Sequence, residues 1–168
     1  PESINKRENI GDFEIDTVIQ TRAKNECLLT LTDRKSRYQI IRLIPDKSAF
    51  SVNQALKAIL KDYQMNSITA DNGAEFSRLA EVFDPTHIYY AHPYSSWERG
   101  TNENHNRLIR RWLPKGSKNA THQQVAFIEN WINNYPKKLF NYKSPKELGS
   151  IISVVGKSTV EIMEPFLV

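Results

Sequence analysis

Residues 12–20, DFEIDTVIQ, set Phe13, Ile15, Thr17 and Ile19 against Asp12, Glu14, Asp16 and Val18. That alternation has a period of two and predicts a strand. CLLTLTD (27–33) and RYQIIRLI (37–44) are rich in β-forming residues, and the polar stretch 33–36 between them reads as a hairpin turn. Three antiparallel strands therefore come first. Ser48 then has the character of a helix N-cap, because Val52, Leu56, Ile59, Leu60 and Tyr63 follow it at helical spacing. A short strand over 67–70, a short helix over AEFSRLAEVF (74–83) and a strand over HIYYAH (87–92), stopped by Pro93, come next. Helical spacing returns from Trp97 to about Leu113 and ends at Pro114 and Gly116. A last helix, capped by Thr121, runs to about Tyr135.

Three antiparallel strands followed by alternating helix and strand predict an α/β fold with a mixed five-stranded sheet flanked by helices. This is the layout of a ribonuclease-H-like domain. A length of 168 residues fits one domain with a sizeable core. With 39% hydrophobic and 25% charged residues the composition is neither disordered nor membrane-embedded. No apolar run approaches the roughly 18 residues of a membrane span, and the chain does not open on a signal-peptide pattern. The one cysteine, Cys27, excludes a disulfide framework within the chain and fits a reducing, cytosolic setting. A net charge of +4 leans toward polyanionic partners. Residues 1–10, opening on Pro1, read as a linker within a longer protein. Residues 11–148 read as the core, and the apolar stretch 149–168 as an extension that covers the core or forms a subunit contact.

Chemistry enters at SITADNGAEF (67–76), where Asp71 ends a strand and meets Asn72 and Gly73. Taken alone this is turn chemistry: Asp and Asn bond to nearby backbone, and Gly accepts a positive φ. Asp16 sits in mid-strand, where Asp is disfavoured, although Asp12 and Glu14 on the same side also fit the exposed face of an amphipathic strand. Glu103 lies in WERGTNENHNRLIRR, on a helical stripe with Arg99, Asn106, Arg107 and Arg110. Such a stripe suits a solvated face with ion pairs, but the asparagines and the basic turn at 99–100 go beyond one. Leu108 and Trp112 fall on another side as core contacts. His87, His92, His105 and His122 are dispersed and make no zinc cluster; His92, just before PYSSW, is the one placed to lie near a site.

DTVI (16–19), DRKSRY (33–38), DNGAEF (71–76), PYSSWERGTNEN (93–104), LPKGS (113–117) and NYKSPKEL (141–148) together resemble bacterial insertion-sequence transposases. The family they match is the one named after insertion sequence thirty, whose DDE chemistry is shared with retroviral integrases. The resemblance implies catalytic and metal-binding carboxylates at Asp16, Asp71 and Glu103. It also implies two Mg²⁺ ions, replaceable by Mn²⁺, and cleavage of DNA at transposon ends. Attack of the 3′-OH on target DNA would follow. Such chemistry wants clustered carboxylates because in-line phosphoryl displacement builds charge on two oxygens, and Mg²⁺ prefers oxygen ligands. Arg99, Arg107, Arg110, Arg111 and Lys115 are then a candidate phosphate-binding stripe, with Lys35 at the hairpin tip as a further DNA contact. Asn72, His92, Asn102 and Asn106 are candidates to support the carboxylates or to orient water and phosphate. The implied setting is a bacterial cytoplasm near the nucleoid, with DNA as partner, a homo-oligomer as the active complex and no membrane. The family's DNA-recognition helices precede the matched region. A ribonuclease-H-like nuclease acting on RNA–DNA hybrids and an inactive DNA-binding relic remain as alternative readings.

Overall fold

The structure is a computed structural model that describes residues 2–6, 9–19, 25–91, 101–117, 120–135 and 144–148. Its sheet has five strands in the order β3-β2-β1-β4-β5. β1 (Asp12–Ile19), β2 (Cys27–Asp33) and β3 (Gln39–Ile44) form the antiparallel meander, while β4 (Ser67–Ala70) and β5 (Ile88–Tyr90) run parallel to β1. This is the ribonuclease-H-like mixed sheet that the order of elements predicts.

β1 lies in the middle of the sheet, and this corrects one expectation. The side carrying Asp12 and Glu14 is not an exposed face, because both residues are buried. A central strand has neighbours on both edges and helices on both faces, so its polar side must find partners inside. The Ser67 hydroxyl donates to Asp12 Oδ1 at 2.7 Å, and the buried Arg34 lies 4.0 Å from Glu14.

On one face, Phe13, Ile15, Leu29 and Leu31 pack against Val52, Leu56 and Ile59 of α2 (Ala49–Ile59). On the other, Val18, Leu28 and Ile41 pack against α3 (Thr101–Trp112) through Ile109, and against α4 (His122–Asn134) through Val125, Phe127, Ile128 and Ile132. Each such side chain contributes about 1.5–3 kcal/mol on burial. Both expected caps form. Ser48 accepts from the Ser51 amide, and Thr121 with Gln124 makes a reciprocal capping box. Short helical turns also occur at α1 (Glu2–Asn5), where Ile4 is buried, and at α5 (Pro145–Leu148).

The helix predicted over 74–83 is instead two 3₁₀ turns, Ala74–Phe76 and Leu79–Glu81. Its fully buried apolar positions are Phe76 and Leu79, three residues apart, which tight turns satisfy without a longer helix. The strand predicted over 87–92 starts later, at Ile88, because a third 3₁₀ turn with Asp84 as its cap takes Pro85–His87; it runs Ile88–Tyr90, and position 92 lies outside the described residues.

At the β2–β3 turn Arg37 adopts a φ of 65°, and its amide bonds back to the Asp33 carbonyl. Buried Asp33 holds this turn to the start of β1. It accepts from the Gly11 amide at 2.7 Å and from the Ser36 amide and hydroxyl at 2.6 Å each. Along β3, Asn133 of α4 accepts from the Gln39 amide and donates to its carbonyl, and Glu129 accepts from the Ile41 amide. Among the described residues, no helix is long and apolar enough to cross a membrane.

Candidate active site

The parallel pairing of β1 with β4 sets Asp12 beside Ser67, Phe13 beside Ile68 and Glu14 beside Thr69. Carried two residues further, the same register brings Asp16 level with Asp71, the first residue beyond β4. Both aspartates are half-buried. Asp16 Oδ1 accepts from the Thr17 amide at 2.9 Å, and Asp71 Oδ1 from the Gly73 amide at 2.7 Å. Asp71 is thus both a turn former and one of two acids brought level on neighbouring strands.

Gly73 departs from its predicted role. Its φ of −61° and ψ of 144° are open to any residue, so the turn does not demand glycine. Space does. A Cβ there would lie 2.6 Å from Glu75 Oε2 and 2.8 Å from Asp71 Oδ1. Those two oxygens flank the position, and a methyl group there fits only if the carboxylates move aside.

Glu75 is the residue the sequence reading missed. Its side chain is buried, its Oε1 accepts from the Thr17 hydroxyl at 3.3 Å, and Lys47 Nζ stands 3.6 Å from the same oxygen. Glu75 therefore joins β1, the exit of β4 and the loop before α2. The available signal was its place inside DNGAEF. Lys47, just before the Ser48 cap, carried no sequence signal.

The other candidates are distributed as follows. Asn72 is exposed and donates to the Ala91 carbonyl at 3.4 Å, tying the exits of β4 and β5 together. Glu103 and Asn102 lie in the first turn of α3, and their side chains fall outside the described residues, as do Arg99 and His92. α3 docks on the end of β1, where Arg110 donates to the Ile19 carbonyl at 2.5 Å; burial lowers the Arg110 pKa. The core side of α3 is Ile109, followed just beyond the helix by Leu113, while the predicted core contacts sit further out. Leu108 is partly buried, and Trp112 is 40% exposed and packs edge-on against Phe127 and Trp131. The Arg111 guanidinium lies over the Trp131 ring at 5.5 Å. Arg107 and Lys115 are exposed, and Asn106 is half-buried with an Oδ1 that has no hydrogen-bond partner among the described residues. Lys35 is exposed at the β2–β3 turn, beside the start of β1, and the structure does not bring it to Asp71.

Among the described residues, no three His, Cys, Asp or Glu side chains are placed to hold a metal ion. Asp16 and Asp71 supply two of the three candidate acids, and the third is Glu103. An all-carboxylate donor set suits a hard cation such as Mg²⁺ and not zinc.

No protein-family profile matches the chain. It is 42% identical over 151 residues to a Streptococcus salivarius protein named "Probable transposase for insertion-like sequence element IS1161", covering 88% of this chain and 44% of that one. It is 40% identical over 153 residues to the transposase InsI for insertion sequence element IS30C of Escherichia coli K12, covering 87% and 39%. The chain thus spans less than half the length of these curated relatives. Among solved structures, the catalytic core domain of BIV integrase superposes with a TM-score of 0.65 at 16% identity, over 82% of this chain and 92% of that one, a likeness of fold.

Proposed function

We propose, because the chain belongs to the DDE transposases of the insertion-sequence-thirty type, that residues 11–148 are a catalytic core that cuts DNA at transposon ends and joins the freed 3′-OH to target DNA. The observation that supports this best is the register that brings Asp16 level with Asp71. Two acids at one level of a parallel strand pair, beside the strand end where α3 docks, suit phosphodiester chemistry.

In this reading Asp16, Asp71 and Glu103 hold two Mg²⁺ ions, with Mn²⁺ able to replace them. When bound, these ions supply Lewis-acid stabilisation of the charge that builds on the attacking and leaving oxygens. The chain's own contribution is to fix the acids in advance. The Thr17 and Gly73 amides each hold one carboxylate oxygen, so little reorganisation remains when DNA arrives. Arg107 and Lys115, with Arg99, track the phosphate backbone. Arg110 and Arg111 divide their cations between DNA and the Ile19 carbonyl or the Trp131 ring. Lys35 reaches only DNA that passes the far end of the sheet, and Asn72, His92, Asn102 and Asn106 support the site from around it. The active complex is a homo-oligomer on DNA in the bacterial cytoplasm.

Asp71→Asn in the full-length protein, assayed with transposon-end DNA and Mg²⁺, tests this. Cleavage should fall by at least about 10²-fold, the scale seen when one preorganised polar contact is removed from an active site. The melting temperature should hold, because the shape is conserved and carboxylate repulsion is relieved. Near-normal cleavage refutes the assignment, and faster cleavage of a matched RNA–DNA hybrid points to the nuclease reading.

A further inference from the structure

We infer that Lys47 contacts a phosphate of the DNA strand being cut and that Glu75 is the residue that positions it. The inference rests on reading the chain as a transposase core.

A carboxylate buried next to Asp71 needs a reason. Burying a charge is costly unless it is paired, and placing it near a second carboxylate adds repulsion. Glu75 is 7% exposed, its Oε2 and Asp71 Oδ1 both lie within 2.8 Å of where a Gly73 Cβ would stand, and its Oε1 is shared between the Thr17 hydroxyl and Lys47. Lys47 is the opposite case, with a side chain 46% exposed at its surface. An ammonium has three donors, and 3.6 Å is an ion-pair distance, longer than a tight hydrogen bond. Lys47 therefore keeps capacity for an outside anion while tethered one carboxylate away from Asp71.

The tether matters because a free lysine loses rotamer entropy on binding. A cation already held lowers that cost when a phosphate arrives. Lys47 also approaches from its own side. It immediately precedes the cap of α2, which packs on the Phe13 and Ile15 face, whereas the cations of α3 lie on the Val18 face. A strand passing Asp71 then meets positive charge from both faces of the sheet. An ordinary surface ion pair has two solvated partners; here one partner is buried and lies against a proposed catalytic acid.

The test compares Lys47→Ala, Lys47→Arg, Glu75→Gln and the Lys47→Ala/Glu75→Gln double variant in the full-length protein, using transposon-end DNA and Mg²⁺. Lys47→Ala should lower kcat/KM about tenfold to hundredfold, the scale of one charged contact, and Lys47→Arg should restore most of it. Equilibrium binding of the same DNA should lose about 0.9 from its log–log salt slope, one phosphate contact. Glu75→Gln should lower kcat/KM as well, and the double variant should be no worse than Lys47→Ala, because Glu75 acts through Lys47. Unchanged kcat/KM and salt slope in Lys47→Ala overturn the phosphate contact. Additive losses, or tighter binding and faster cleavage in Glu75→Gln, overturn the positioning role. If Glu75→Gln does not fold, the two exposed Lys47 variants decide the contact. Asp71→Asn runs alongside: its failure to block cleavage sinks the transposase-site reading, whereas a dead Asp71→Asn with a normal Lys47→Ala sinks this inference alone.

Discussion

Replacing Gly73 by alanine adds one methyl group where the backbone accepts it and the surroundings do not. At φ −61° and ψ 144° alanine is unstrained. By narrowing the unfolded ensemble it should contribute about 0.4–1 kcal/mol of stability. The new Cβ, however, would stand 2.6 Å from Glu75 Oε2 and 2.8 Å from Asp71 Oδ1, where ordinary contact begins at 3.4 Å. The carboxylates have to withdraw by about 0.6–0.8 Å. Displacements near 1 Å in a catalytic arrangement cost about 10²-fold in rate, so Gly73→Ala should lose about 10- to 100-fold in single-turnover cleavage of transposon-end DNA. Its melting temperature should stay within a few degrees, because the backbone gain and the side-chain crowding oppose each other. Cleavage within about twofold of the parent would refute the idea that these two oxygens must converge. A large drop in melting temperature would instead refute the expected displacement, by showing that the backbone yields and the carboxylates do not.

Asp33→Ala should cost about 3–5 kcal/mol in urea unfolding, since it leaves the Gly11 amide and the Ser36 amide and hydroxyl without their shared acceptor; an unchanged midpoint would show that the turn does not depend on Asp33. Glu129 carries a pH signature: burial pushes its carboxyl above the ordinary range, and Arg42 and the Ile41 amide pull it back only in part. The native state therefore binds this proton more tightly than the unfolded chain, and the group's contribution falls as pH rises from about 4.5. Unfolding curves from pH 4 to 8 should accordingly show Glu129→Gln gaining on the parent as pH rises, and a constant or shrinking gap would contradict the sign.

Local signals carried much of the fold. The period of β1, the runs of β2 and β3, and the Ser48 and Thr121 caps each depend on neighbours within a few residues, so the chain displays them openly. The failures are non-local. Whether the Asp12–Glu14 side of β1 meets water depends on Ser67, 55 residues away, and on helices that cover both faces. Asp16 and Asp71 were legible through a family resemblance and come level only through strand register. Glu75 and Lys47 lie far apart in sequence and meet because α2 begins beside the exit of β4, which no periodicity displays. Gly73 was misread because glycine in a turn suggests a positive φ, whereas here its value is the absence of a side chain.

The hydrogen bonds that α4 sends to β3 also bear on whether another polypeptide can add to the sheet. β3 is the last strand on its side of the sheet, and the outer backbone groups of a terminal strand are a ready template for another polypeptide. Asn133 occupies both the amide and the carbonyl of Gln39, and Glu129 takes the amide of Ile41. An incoming strand would have to displace all three bonds and strip a buried carboxylate of an amide donor. Lateral extension of the sheet, the route by which β proteins aggregate or swap strands, is therefore obstructed at that border, and β5 is the other terminal strand of the sheet.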